Sequence, residues 1–276
     1  MRAVATPHGT VGYTDHGAGP VLLFVHGFLL DKSMWLPQIV HFVPLGYRVL
    51  CVDLLGFGDS EPVPGTIPLT AHAVALTAVL DAVGAETATV TGYSIGGQVA
   101  LDFAGSHPDR LTALVLSGTS AGVDSPVVRA ERLALADRLE SEGVDEYAEE
   151  FLPHLLGART IRDRPSVVEH ALTMMAAADP EGAAAVLRGR AERGDYTAVA
   201  RALTVPSLVV VGAEDSFDRG ELAAELAGLV PGSRLAVVAD SGHTPSLERP
   251  LSFNAELEEF LESVSGAARP GPLRVR

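Results

Sequence analysis

Six short apolar runs recur along the chain and constrain its fold more than any other feature. They are Val21–Val25, Arg48–Val52, 88–91, 113–116, 207–211 and 235–238. Continuous apolar runs of this length predict strands that are buried on both faces, which is typical of a parallel sheet. Helical patterns separate the runs, at about 33–45, 70–83, 96–106, Glu221–Leu229 and 251–264. The alternation predicts an α/β fold with a doubly wound, mostly parallel sheet, and residues 2–15 are expected to add an antiparallel edge hairpin.

One long segment interrupts this alternation. From about 124 to 201 the sequence contains only amphipathic helical patterns, which four prolines are expected to divide into short helices: Pro126, Pro153, Pro165 and Pro180. A helical block between two core strands predicts a lid, or cap, over 124–201, inserted into a core formed by 1–123 and 202–265. Residues 266–276 are predicted to form a disordered tail.

The strongest chemical signal is Gly92-Tyr93-Ser94-Ile95-Gly96-Gly97, which lies between a predicted strand and a predicted helix. This is the context of the G-x-S-x-G nucleophile elbow, whose sharp turn exposes a serine hydroxyl at the carboxyl end of the sheet. Side chains at Gly92 and Gly96 would collide with neighbouring backbone. Ser94 is therefore the candidate nucleophile, and the alternative is a glycine-rich turn without chemistry.

A serine nucleophile needs a base, and the base needs an acid that orients it. His243 follows the strand predicted at 235–238, and Asp215 follows the strand predicted at 207–211. The carboxyl ends of parallel strands meet at one edge of a sheet, so both side chains are expected near Ser94. We predict that His243 is the general base and that Asp215 orients it, with Glu214 and Asp124 as lesser candidates for the acid.

Two backbone N–H groups are predicted to form an oxyanion hole. Ile95 supplies one from the N-terminus of the helix after Ser94, where partial positive charge accumulates. Phe28 supplies the other from the loop His26-Gly27-Phe28-Leu29, in which Gly27 permits a close approach of the backbone. We expect His26 to hold this loop by hydrogen bonds, and Asp53 to stabilise the loop 53–60.

These motifs resemble those of the α/β-hydrolase superfamily, over about residues 10–264. Within the superfamily the chain resembles the lid-bearing group that includes enol-lactonases, carbon–carbon bond hydrolases and small esterases. Its lid, with Met174-Met175 and Asp179-Pro180-Glu181-Gly182, resembles that of the enol-lactonase relatives. The resemblance implies cleavage of an ester or lactone without a cofactor. Ser94 argues against the haloalkane dehalogenase and epoxide hydrolase branches, which have aspartate at this position.

Composition excludes several other classes. A net charge of −15 disfavours partners such as nucleic acid and anionic membrane surfaces. The single cysteine, Cys51, can form neither a disulfide framework nor a cysteine-based metal site, and the histidines lack paired metal-ligand spacing. The N-terminus lacks a signal-peptide pattern, so a cytoplasmic location is expected. No pattern specifies an oligomeric state.

The predicted partner is a small molecule, an ester or lactone that is mainly apolar and neutral. Apolar lid residues could wall its pocket, and the acidic protein would repel an anion. A carboxylate-bearing substrate would need a cation near the site, for which the lid offers Arg129, Arg132, Arg188 and Arg190. The alternatives are a cyclase, lyase or acyltransferase on the same scaffold, a carbon–carbon bond hydrolase, and a binding protein without catalysis.

Overall fold

The computed structural model describes residues 2–265 and has an eight-stranded sheet at its centre. The strands are β1 Arg2–Thr6, β2 Gly9–Gly17, β3 Val21–Val25, β4 Arg48–Val52, β5 Ala88–Tyr93, β6 Leu111–Ser117, β7 Ser207–Gly212 and β8 Arg234–Val238. Their order across the sheet is β1-β2-β4-β3-β5-β6-β7-β8. The pairs β1–β2 and β2–β4 are antiparallel, and all other pairs are parallel. The predicted α/β class and the edge hairpin are both confirmed.

The apolar runs form the central strands because both faces of the sheet are covered by helices. Every residue of β5 and β7 is buried. Cys51 lies in β4, fully buried, where burial raises the pKa of its thiol. Cys51 is therefore a small residue of the core.

The covering helices are α1 Leu36–Phe42, α2 Leu69–Ala82, α3 Ile95–Ser106, α10 Glu221–Leu229, α11 Pro245–Glu248 and α12 Pro250–Ser265. The helix predicted at about 33–45 is shorter than expected. A 3₁₀ turn, Lys32–Trp35, precedes α1, and Pro37 stands in the first turn of α1. Proline suits that position because its missing N–H would have no partner there.

The inserted segment consists of helices only, as predicted: α4 Pro126–Glu142, α5 Asp145–Leu155, α6 Ala158–Asp163, α7 Pro165–Ala176, α8 Pro180–Ala191 and α9 Thr197–Ala202. Pro126, Pro165 and Pro180 each begin a helix. The expectation that Pro153 separates two helices is wrong, since it lies inside α5. That helix ends only two residues later, at Leu155. The tail predicted at 266–276 lies outside the described residues.

Helix α8 packs against the core through two glycines. Gly182 touches the backbone of Gly56, and a Cβ on Gly189 would overlap the carbonyl of Ile67. The N–H of Ile67 also donates to the carbonyl of Ala185 at 3.0 Å. One side of the inserted segment is therefore fixed to the loop that precedes α2. Among residues 2–265, no helix combines the length and apolarity needed to cross a membrane.

Gly189→Ala tests this close packing, because the added methyl has no space unless α8 moves. We expect it to lower the free energy of unfolding by about 1–3 kcal/mol, the usual range for overpacking. Gly228→Ala is the matched control: it also lies in a helix, but its new Cβ meets no atom within 4 Å. This control should raise stability by up to about 1 kcal/mol. Urea denaturation measures both, and an unchanged Gly189→Ala would contradict the packing described.

Candidate active site

Ser94 occupies the strained turn between β5 and α3. Its backbone angles are φ 54° and ψ −116°, a conformation that non-glycine residues rarely adopt and that costs on the order of 1–3 kcal/mol. A Cβ on Gly92 would overlap the carbonyl of Gly96, and a Cβ on Gly96 would overlap that of His26. The turn therefore requires glycine on both sides. Ser94 is partly exposed, and its backbone N–H donates to the carbonyl of Ser117 at 2.8 Å.

Ser94, His243 and Asp215 lie in one hydrogen-bonded chain. His243 Nε2 is 3.1 Å from Ser94 Oγ, and His243 Nδ1 is 2.7 Å from Asp215 Oδ2. The carboxylate can only accept, so Nδ1 carries the proton and donates, which leaves the Nε2 lone pair facing the Ser94 hydroxyl. The other oxygen of Asp215 accepts from the N–H groups of Phe217 and Asp218 at 2.9 and 3.2 Å.

Asp124, a lesser candidate for the acid, lies elsewhere. Its carboxylate accepts two hydrogen bonds from the guanidinium of Arg132, at 2.6 and 3.2 Å. Asp215, in the turn after β7, contacts His243 instead.

Backbone packing brings the turn after β7 against the loop of His243. A Cβ on Gly212 would overlap the carbonyl of Gly242, so these two segments of the chain can lie this close only because residue 212 is glycine. The N–H of Glu214 donates to the carbonyl of Ser241 at 2.8 Å. The ring of His243 lies between two neighbours. Gly118 packs against its edge, and the centroid of the Phe217 ring lies 4.7 Å from that of the His243 ring.

The predicted oxyanion loop is held by His26, as expected. The Nε2 of His26 accepts from the N–H of Leu54 at 2.9 Å, so Nδ1 bears the proton and donates to the carbonyl of Gly27 at 2.7 Å. Burial lowers the pKa of His26 and favours this neutral form. The carbonyl of Gly27 and the N–H of Phe28 belong to the same planar peptide unit. His26 therefore fixes the direction of the Phe28 N–H.

Both predicted donors are free to bind an anion. Within residues 2–265, the N–H groups of Phe28 and Ile95 have no hydrogen-bond acceptor. Gly27 packs against the ring of Tyr93, the residue before Ser94, because a Cβ there would lie 2.5 Å from a ring carbon. This contact places the Phe28 loop beside the turn that carries Ser94.

Asp53 acts within its loop, as predicted. Its carboxylate accepts from the N–H of Lys32 at 2.7 Å and from the N–H of Asp59 at 2.9 Å, and it pairs with the Lys32 ammonium at 2.5 Å. The loop after β4 is thereby tied to the loop after β3.

Sequence reasoning missed Glu248, which links the inserted segment to the loop of His243. One oxygen of its fully buried carboxylate accepts from the N–H of Gly157 at 2.8 Å. The other accepts from the N–H of Thr244 at 3.3 Å and from its hydroxyl at 3.2 Å. Burial raises the pKa of Glu248, and these hydrogen bonds oppose the rise. In the same region, the N–H of His243 donates to the carbonyl of Leu155 at 3.1 Å.

Aromatic rings from the core and from the inserted segment form a wall beside the catalytic candidates. Phe151 of α5 lies 6.5 Å from Phe28 and 5.9 Å from Phe217. Tyr147 stacks on Phe151 at 5.5 Å. The inserted segment therefore reaches the edge of the sheet that carries Ser94. Met174 and Met175 are buried in the hydrophobic core.

Metal-binding groups are not clustered in the part of the chain that the structure describes. No three histidine, cysteine, aspartate or glutamate residues within 2–265 are arranged to hold an ion. That the reaction needs no metal or cofactor stays a prediction.

Comparison with known proteins gives a family match over most of the chain. The family model described as "alpha/beta hydrolase fold" matches residues 20–250. The solved structure of a thermophilic esterase from Thermogutta terrifontis, with malate bound, shares 36% identity. The superposition covers 95% of this chain and 98% of the esterase chain, with a TM-score of 0.92.

Curated relatives are similar over nearly their full length. A pimeloyl-[acyl-carrier protein] methyl ester esterase of Aeromonas hydrophila is 30% identical, covering 91% of this chain and 99% of its own. The 3-oxoadipate enol-lactonase 2 of Acinetobacter baylyi is 26% identical, covering 94% of both chains.

Glu248→Gln tests the link between the inserted segment and the loop of His243. A glutamine must direct its NH₂ group at either the Gly157 N–H or the Thr244 N–H, so a donor faces a donor in either orientation. We expect a loss of about 1–3 kcal/mol in the free energy of unfolding, the cost of an unsatisfied buried group. Urea denaturation measures it.

The control is Glu131→Gln on the exposed face of α4, which should change stability by less than about 0.5 kcal/mol. If Glu248→Gln is as mild as this control, the two carboxylate oxygens do not hold the two segments together.

Proposed function

The chain belongs to the α/β-hydrolase fold family, and we propose that it is a serine hydrolase that cleaves a carboxylic ester or lactone through an acyl-enzyme. The observation that carries this proposal is the hydrogen-bonded chain from Ser94 through His243 to Asp215. Relatives named as esterases and an enol-lactonase support the same reaction class.

In the proposed reaction Ser94 Oγ attacks the carbonyl carbon while its proton passes to His243 Nε2. The negative charge that develops on the carbonyl oxygen accepts hydrogen bonds from the N–H groups of Phe28 and Ile95. Two preorganised donors of this kind contribute several kcal/mol in the transition state. The tetrahedral intermediate collapses, His243 returns the proton to the leaving alcohol oxygen, and an acyl group stays on Ser94.

A water molecule then repeats the sequence. His243 takes a proton from the water while the water oxygen attacks the acyl carbonyl. The second tetrahedral intermediate then collapses as His243 returns that proton to Ser94 Oγ, which releases the carboxylic acid and free Ser94. Asp215 holds the imidazole in the tautomer that both steps need and stabilises the imidazolium that forms in each. In a lactone the leaving alcohol is part of the same molecule, so the product is a hydroxy acid.

We also propose that the six helices α4–α9 act as a lid over this site. Two observations support the role: Phe151 contacts Phe28 and Phe217, and the carbonyl of Leu155 accepts from the N–H of His243. Lids of this kind exclude water and shape the pocket. The aromatic wall suits a small to medium substrate that is mainly apolar along its length.

Asp215→Asn tests the role of the acid. Asparagine can present its NH₂ group to Nδ1, which favours the imidazole tautomer with a proton on Nε2, so the histidine can no longer take the serine proton. We expect kcat for 4-nitrophenyl butyrate to fall on the order of 10³- to 10⁴-fold.

Glu214→Gln, one residue earlier, is the matched control and should stay within about tenfold of the wild type, equal to about 1.4 kcal/mol in activation free energy. A steep loss of activity in Glu214→Gln, together with a mild effect of Asp215→Asn, would show that Glu214 and not Asp215 is the acid. Ser94→Ala should abolish the acyl-enzyme route, and full activity in that variant would end the proposal.

A further inference from the structure

Phe217, in the turn after β7, holds a large apolar ring half in solvent. The residue is 50% exposed, and no other phenylalanine, tyrosine or tryptophan in residues 2–265 reaches that exposure. The imidazole that it contacts is nearly closed off, since the side chain of His243 is only 7% exposed. The ring of Phe217 therefore covers the proposed catalytic base while one of its own sides stays open.

Two hydrogen bonds fix the turn that carries this ring. The N–H of Phe217 donates to Asp215 Oδ1 at 2.9 Å, and the hydroxyl of Ser216 donates to the carbonyl of His154 in α5 at 2.9 Å. The first bond ties the ring to the proposed acid, and the second ties it to the inserted helices. Neither bond uses the ring itself, because aspartate forms such turns with the backbone alone. The turn should therefore form with a smaller side chain at position 217.

Other groups occupy the remaining sides of the His243 ring. Asp215 accepts from Nδ1, and a Cβ on Gly118 would lie 3.0 Å from Cε1. The buried ring of Tyr93 has its centroid 5.1 Å from that of the imidazole. Phe217, with its centroid at 4.7 Å, therefore covers the solvent side of the imidazole. That side leads to Nε2, the atom that moves protons in the proposed reaction.

The reaction itself places the alcohol half of an ester beside this ring. His243 Nε2 returns a proton to the leaving alcohol oxygen, so that oxygen must come within about 3 Å of Nε2. The carbonyl oxygen points elsewhere, at the N–H groups of Phe28 and Ile95. The carbons of the alcohol therefore extend along the solvent side of the imidazole, where Phe217 lies. The ring of Phe151 lies 5.9 Å from that of Phe217, so the aromatic surface continues into the inserted helices.

We propose that Phe217 determines specificity for the alcohol half of the substrate, so that the enzyme prefers esters of extended apolar alcohols over methyl esters. This inference rests on the proposed function and states which half of the substrate the ring recognises. A butyl chain covers the open side of the ring and removes apolar surface from water, whereas a methyl group is too small to do so. The acyl half leaves the carbonyl carbon in another direction, away from His243 Nε2.

The test compares three esters on one enzyme preparation: methyl butyrate, butyl butyrate and methyl heptanoate. Butyl butyrate and methyl heptanoate are isomers, so they differ in which half carries the long chain and not in total apolar content. Ratios of kcat/KM do not depend on the folded fraction, since all three esters are measured on the same sample. For the wild type we expect butyl butyrate to exceed methyl butyrate by more than about tenfold in kcat/KM, equal to about 1.4 kcal/mol.

Phe217→Ala should bring the butyl-to-methyl ratio below about threefold and leave the ratio of methyl heptanoate to methyl butyrate unchanged. Phe217→Leu, which keeps an apolar side chain, should give an intermediate butyl-to-methyl ratio and provides a second measurement if the alanine variant folds poorly. Leu222→Ala is the matched control: Leu222 is 41% exposed in α10, and this variant should keep both wild-type ratios.

Three results would overturn the inference. The wild type might hydrolyse methyl butyrate as well as butyl butyrate, or Phe217→Ala could keep the preference for the butyl ester. A fall in the methyl heptanoate ratio in Phe217→Ala would show that the ring contacts the acyl half instead. Hydrolysis that survives Ser94→Ala would overturn the proposed function and not this inference alone, so the two failures are distinguishable.

Discussion

The absence of space for side chains around Ser94 is the constraint on which the rest of the site depends. Gly92 and Gly96 lie where a Cβ would overlap backbone, and Ser94 accepts a positive φ so that the chain can pass from β5 into α3 within one residue. The strain costs on the order of 1–3 kcal/mol and persists because β5 is buried on both sides within the sheet. The turn sets the hydroxyl of Ser94 and the N–H of Ile95 together at the carboxyl edge.

Other parts of the site reach this edge through similarly close contacts at glycine. Gly212 lets the turn after β7 touch the main chain of the His243 loop, and Gly27 lets the loop after β3 pack against the ring of Tyr93. Buried polar groups then fix the remaining freedom: His26 orients the Phe28 peptide, and Glu248 joins the His243 loop to the inserted helices. A site held this way needs little reorganisation during the reaction.

The parts that sequence could predict are those whose signal is local. The six apolar runs predicted the parallel strands, and Gly92 to Gly97 predicted the turn at Ser94, because each pattern reports the burial or backbone geometry of its own segment. Asp215 and His243 were predictable as a pair because each follows a strand whose end lies on the same edge. Glu248 was not predicted. Its role comes from a partner 91 residues away, Gly157, and nothing near it in the sequence indicates that its carboxylate is buried.

The most direct test of the proposed reaction is covalent labelling with a fluorophosphonate, followed by mass spectrometry of the digested protein. Only a serine activated by a neighbouring base reacts rapidly with such a reagent. We expect one adduct per chain, on the peptide that contains Ser94, with activity lost in proportion to labelling. We also expect much slower labelling of Asp215→Asn. An adduct at another serine, or full activity after Ser94 is modified, would contradict the central role of this residue.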